Sequence, residues 1–424
     1  VTSFPATVGV FGLLLVAGAL VSGVARRSVL SLAVIYVLTG FVFGRGATGA
    51  LHFGPNSAFV TDLATVVLVV ILFRDGLEVE GEFLRTQWRL PLRKLVFGMP
   101  ITAAIVAIIA HVVVGLSWLE AFLLGALLAP TDPVLSSGVV TDPRVPAVIR
   151  HSLNLESGLN DGLALPAVLA LISALDTTPG QHFVWWHFVL QDVGLGVAYG
   201  IVCGLIASLL LPRPGRLREE ISPHQKALYG LGVAFATYSV TVLPPEGNGL
   251  IAVFVAAITL GIRRPDLRHY VAGGVEEISE IAKLGIFTVF GSLLTIRGLT
   301  TDGWAAAAVV AATFLIARPV ALVIALIHTQ LDWSAKAFMG WFGPKGVATI
   351  AFSLLMLGRH IPNGERIFNI AALAVFCSII VHGVTDTAGA NWIARRQPAD
   401  ARAEEPPGGP SRSENRDGRA AGRW

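Results

Sequence analysis

The sequence predicts an all-α polytopic membrane protein with about thirteen transmembrane helices. Three observations predict it: apolar runs recur from residue 4 to residue 390, charge is sparse, and the basic residues crowd into alternate loops. Of the 424 residues, 54% are hydrophobic and only 14% are charged, where an ordinary soluble domain carries about a quarter. About 20 consecutive apolar residues suffice to cross the hydrocarbon core of a bilayer. Such runs lie at 4–24, 28–43, 59–77, 94–116, 119–140, 152–175, 184–211, 225–243, 247–263, 277–296, 304–328, 334–358 and 366–390.

The first run lacks a basic segment before it and is followed by Arg26 and Arg27, so it reads as a span and not as a cleaved signal. Arg26, Arg27, Arg89, Arg93, Lys94, Arg144, Arg150, Arg213, Arg263, Arg264, Lys336, Arg395 and Arg396 all fall on one side of the spans. Arg45, Arg297, Arg359 and Arg366 fall on the other. Basic loops mark the cytoplasmic face, so the N-terminus is expected outside and the C-terminus inside, as an odd number of spans requires. The basic excess is thus an orientation signal; no nucleic-acid partner is expected. Cys203 and Cys377 sit in apolar segments and offer neither a disulfide framework nor a thiolate metal site. Residues 1–396 are expected to form the membrane domain. Residues 397–424, rich in Pro, Gly and mixed charge, read as a disordered cytoplasmic tail. The intervening loops are short, so the chemistry is expected within the membrane.

The fifth run carries Pro130-Thr131-Asp132-Pro133 at its centre, and the twelfth carries Gly343-Pro344-Lys345-Gly346. Proline removes backbone donors and disfavours helix before it. Each run therefore reads as two half-helices joined by an unwound link, although a plain proline kink explains either one taken alone. The two runs are seven spans apart, and an odd separation makes them antiparallel. Spans 1–6 and 8–13 then form inverted repeats, and paired interrupted helices are the sequence pointer to a secondary transporter's binding site. Each break exposes partial charges at the half-helix ends, which Asp132 and Lys345 are placed to offset.

The sixth run begins LNLESGLNDG. Asp161 lies about nine residues in, or ~14 Å at ~1.5 Å per residue, close to mid-membrane. Spacings of three and four put Ser157, Asn160 and Asp161 on one helix face with Glu156 beside them. These are hard oxygen donors, suited to Na⁺, Li⁺ or K⁺ and not to soft metals. Glu156 is expected to form a buried ion pair with Arg318 or Lys345, and Asn160 either joins the ion site or bonds neighbouring backbone. Asp161 is the acid for which no basic partner remains. Burial penalises its charged form, so a cation and a proton compete to neutralise it, and only the neutralised forms cross the membrane barrier. Competition of that kind couples the two movements without a separate gate. His111, His328 and His382 show no ligand spacing, and Glu280–Lys283 reads as a helix-surface pair.

In these residues the chain resembles the monovalent cation:proton antiporters of the NhaP and eukaryotic sodium/proton exchanger branch. The likeness runs over residues 4–390 and rests on Thr131-Asp132-Pro133, Glu156-Ser157 and Asn160-Asp161 in their spans. It implies a six-helix bundle carrying the ion site, moving against a second bundle that holds a homodimer, in the plasma membrane of a bacterium. It implies that Asp161 carries ion and proton, with Asp132, Ser157 and the Thr131 carbonyl helping to coordinate. It implies that Arg318, before Pro319, pairs with Glu156. The Asn160-Asp161 pair implies electroneutral one-for-one exchange serving pH homeostasis, with no cofactor beyond the transported ions. The chain departs from the family in two places. Lys345 stands where arginine is usual, keeping the charge without the planar fork. In LFRDGLEV of the third span, Asp75 either supplies the ion-binding acid found in many relatives or is held by Arg74. A proton-gated channel or an organic-anion symporter on the same repeats is the alternative. An anion carrier wants basic residues at the half-helix N-termini, where Asp132 stands. An intramembrane aspartyl protease built on Asp132 and Asp161 leaves Asn160 and the paired breaks without a purpose.

Overall fold

Helices surrounded by lipid are apolar on most faces, and they satisfy their own backbone groups. The computed structural model describes residues 32–79, 89–132, 142–180, 182–212, 222–329 and 331–396 and four isolated positions, apart from the side chains of Ser157, Pro223 and residues 268–273. Among these residues all regular structure is helical. The first helices are α1 (Leu32–Phe43), α2 (Ala58–Glu78), α3 (Leu90–Val114), α4 (Trp118–Leu128) and α5 (Ala147–Leu175). Next come α6 (Trp185–Leu210), α7 (Pro223–Thr241), α8 (Gly249–Arg263), α9 (Pro265–Leu293) and the short α10 (Ile296–Thr300). The last four are α11 (Gly303–Ala325), α12 (Trp333–Trp341), α13 (Val347–Leu357) and α14 (Gly364–Arg396). Five of the described helices, α3, α5, α6, α11 and α14, are singly long and apolar enough to cross a membrane. Apart from the four isolated positions, the first predicted span, the second half of the fifth (residues 133–140) and the tail lie outside the described residues.

The helix starts follow local chemistry. Ser117 and Glu120 form a reciprocal capping box at α4, and Ser222 and Gln225 form another at α7, which satisfies orphan donors at each N-terminus. Asn248 accepts from the amides of Leu250 and Ile251 to start α8. The predicted twelfth span is divided, α12 ending at Trp341 and α13 starting at Val347. In the fifth, α4 stops at Leu128, and residues 129–132 are not helical.

The helices pack in two groups. One comprises α1, α2, α6, α7, α8 and α9; the other comprises α3, α4, α5 and α11 to α14. Helix α2 touches both groups, packing on α8 and α9 on one side and on α5 and α13 on the other. Two charges read from sequence as loop residues are buried instead: Lys94 at 2% exposure and Arg264 at 3%. Arg264 turns inward because the carbonyls of Ser208, Leu211 and Pro212 at the end of α6 accept its protons, a helix terminus that favours a cation. Lys94 turns inward for Glu156. In the loop before α5, Arg144 hydrogen-bonds Asp142 and holds its carboxyl below the usual carboxylate range.

Candidate ion-binding site

Two unwound links cross at the centre of the second group. The amide of Asp132 donates to the Pro344 carbonyl at 2.8 Å, joining link to link. Each link then supplies the charge that the other helix lacks. Lys345 Nζ donates to the carbonyls of Ala129 and Pro130, at 3.3 and 3.1 Å, just beyond the C-terminal end of α4. Asp132 Oδ2 accepts from the amide of Val347, the first residue of α13, at 3.1 Å. A helix presents partial negative charge at its C-terminus and partial positive charge at its N-terminus, so both contacts have the favourable sign. Ser378 Oγ of α14 accepts from the Lys345 amide at 2.7 Å and holds the second link in place.

Beside this crossing lies a buried ion triad. Glu156 Oε1 sits 3.0 Å from Arg318 Nη1, and Glu156 Oε2 sits 2.7 Å from Lys94 Nζ. Lys94 also donates to the Ser152 carbonyl at 2.9 Å. Arg318 Nη2 donates to the carbonyls of Met339 and Phe342, at 3.3 Å each, where α12 ends. Of the two basic partners expected for Glu156, Arg318 takes the place and Lys345 does not, because the α4 carbonyls hold it. Lys94 is the partner that sequence reasoning missed. Its one signal was a lysine opening an apolar run, which read as an interfacial charge.

Helix α5 carries the remaining residues on two faces. Asn160, four residues after Glu156, points to the crossing: its Nδ2 donates to the Thr131 carbonyl at 2.7 Å and to Thr131 Oγ1 at 3.0 Å. Asp161 lies three residues after Gly158, on the same face, and directly precedes Gly162. Those glycines admit the first helix group. A β-carbon at 162 would lie 2.3 Å from the Phe254 ring of α8, and one at 158 would lie 3.6 Å from the Asp75 carbonyl of α2. Asp161 therefore stands where the two groups meet, with Asp75, Asp132 and Arg74 within electrostatic range.

Asp161 is 6% exposed and Asn160 is 2% exposed. The Oδ1 atoms of both are buried and have no hydrogen-bond partner among the described residues. The buried cations are engaged elsewhere: Lys94 and Arg318 by Glu156, Lys345 by carbonyls, Arg74 by Asp75 and Glu276. Asp75 is bound by Arg74 at 2.7 Å. The Ser157 side chain lies outside the described residues. Among the described residues no three His, Cys, Asp or Glu side chains are grouped as for a tightly held metal. Buried oxygens left without donors are suited to a monovalent cation or a proton.

Known proteins resemble the chain along most of its length. A family model described as "Sodium/hydrogen exchanger, transmembrane" matches residues 12–390. A K⁺/H⁺ antiporter NhaP of Alkalimonas amylolytica is 24% identical over 93% of this chain and 68% of its own. A K⁺/H⁺ antiporter NhaP2 of Shewanella baltica is 25% identical over 89% of this chain and 65% of its own. The chain thus spans about two thirds of the length of these curated relatives. Among solved structures, the sodium proton antiporter MjNhaP1 of Methanocaldococcus jannaschii at pH 8 superposes with a TM-score of 0.76 at 18% identity. That superposition covers 94% of this chain and 99% of that one, and it shows a shared fold.

Proposed function

The chain belongs to the transmembrane sodium/hydrogen exchanger family, and on that premise we propose that it exchanges a monovalent cation for H⁺ at Asp161. The observation that carries this reading is the buried Asp161 Oδ1, which no donor among the described residues satisfies, at the meeting of the two helix groups. A carboxylate with no cation of its own is neutralised either by a metal ion or by a proton. The bare anion is costly to carry through a low-dielectric barrier, so only the two loaded forms move, and one gradient drives the other. Asn160 positions the Thr131 carbonyl, and its own Oδ1 faces the ion; Asp132 supplies negative field. Glu156, Arg318, Lys94 and Lys345 hold fixed charge and keep the crossing in shape.

The six predicted spans of the second group act as the transporting bundle, rocking against the first group, through which two copies associate. The N-terminus faces outward and the C-terminus faces the cytoplasm of a bacterial cell. Na⁺ and K⁺ are both candidates: the curated relatives are named for K⁺, the solved structure for sodium. In everted vesicles or proteoliposomes with an acid interior, addition of Na⁺, Li⁺ or K⁺ is expected to dissipate the pH gradient. Asp161→Asn is expected to abolish dissipation with all three ions. Undiminished exchange in that variant refutes the assignment.

A further inference from the structure

Beside the ion site, α2 carries a guanidinium that the exchange cycle above does not use. Arg74 is 8% exposed and donates from Nε and Nη2 to the single oxygen Oδ1 of Asp75, at 2.9 and 2.7 Å. Its remaining nitrogen, Nη1, reaches Glu276 Oε2 of α9 at 3.2 Å. The two acids differ in surroundings. The Asp75 side chain is 3% exposed, whereas that of Glu276 is 44% exposed and also faces Lys283 at 3.7 Å. Arg74 therefore spans from a half-exposed carboxylate to a buried one, and the buried one lies within electrostatic range of Asp161.

We propose that Arg74 is a specificity-determining residue, a tethered cation that occupies Asp75 and so sets the affinity of the Asp161 site for the transported ion. The inference rests on the reading that Asp161 holds that ion. Asp75, Asp132 and Asp161 present three carboxylates to one region, and Arg74 cancels one of them. A metal ion entering there meets a weaker field than three acids alone create, and charge interactions are strong where water is scarce. Arg74 cannot lose its proton, so the cancellation persists at every working pH. Its contact with Glu276 draws the guanidinium away from Asp75. The half-exposed acid thus tunes how completely Asp75 is neutralised.

Initial exchange rates against Li⁺, Na⁺ and K⁺ chloride concentration in proteoliposomes test this, alongside stabilisation of the purified protein by the same salts. Arg74→Gln is expected to lower the half-saturating cation concentration at least about five-fold, within the usual range of site couplings. The salts are expected to stabilise that variant at correspondingly lower concentration. Arg74→Gln/Asp75→Asn removes both charges and is expected to return half-saturation to within about two-fold of wild type, as a coupled pair does. Glu276→Gln, at a half-exposed position, leaves Arg74 wholly to Asp75 and is expected to raise half-saturation. It carries the test if Arg74→Gln fails to fold. A purely structural Arg74 predicts slower turnover with unchanged half-saturation. That result, or a rise in Arg74→Gln, overturns the proposal. A wild-type protein inert to all three ions defeats the exchange reading itself, whereas an exchanging wild type with an unmoved Arg74→Gln defeats this inference alone.

Discussion

Glu156 carries two cations on one carboxylate, 2.7 Å from Lys94 and 3.0 Å from Arg318, and this imbalance predicts unequal effects of removing its partners. Glu156→Gln strands two buried cations, and breaking a buried pair costs about 3–5 kcal/mol. Lys94→Met instead leaves a balanced Glu156–Arg318 pair and swaps an ammonium for apolar volume, so its cost is expected to be less than half as large. Thermal unfolding midpoints in detergent check this; an equal loss in both variants shows that Lys94 anchors the triad as firmly as Glu156. Residues of this kind differ in how plainly a sequence declares them. Asp161 and Asn160 were legible because depth alone makes a polar pair conspicuous. Lys94 was not, because a lysine opening an apolar run looks the same whether its side chain turns to the headgroups or to the core. The choice depends on Glu156, 62 residues away.

At the scale of elements, the end of α4 and the break between α12 and α13 were legible from Pro130 and Pro344, since proline acts on its own backbone. Their reciprocal capping was not. Asp132 satisfies α13 and Lys345 satisfies the end of α4 only once the links have crossed, and no local pattern specifies a crossing. The crossing also explains a glycine. A β-carbon at Gly346 would stand 2.3 Å from Asp132 Oδ2, so Gly346→Ala pushes the carboxylate off the Val347 amide. Overpacking of this kind costs about 1–3 kcal/mol, and exchange is expected to slow with it. Gly232 in α7 is the control, because nothing lies within 4 Å of a β-carbon there. Gly232→Ala is expected to leave exchange unchanged and to stabilise by up to about 1 kcal/mol. A tolerated Gly346→Ala removes the capping role assigned to Asp132.

Over the whole molecule, the proposed ion site sits on the seam between two helix groups, and the charges there predict how exchange responds to voltage. Glu156, Arg318, Lys94 and Lys345 are engaged in pairs or on carbonyls, so the proposed cycle gives them no part in the change of charge. Asn160 stands in a position where a second acid would take up a second proton, and an amide takes up none. On the proposed reading Asp161 alone changes occupant, one proton for one monovalent cation, and the loaded bundle carries equal charge in both directions. Moving one elementary charge through 100 mV is worth about 2.3 kcal/mol, enough to change a rate-limiting step by tens of fold if any net charge moved. Proteoliposomes clamped at 0 and at −100 mV with a fixed pH gradient are therefore expected to exchange at the same rate within about two-fold, far below the response that energy allows. Asn160→Asp adds a carboxylate beside the first and is expected to make the rate depend on potential. A wild-type rate that follows the clamp assigns a second mobile proton to Asp132 or Asp75, the other two acids within range of Asp161.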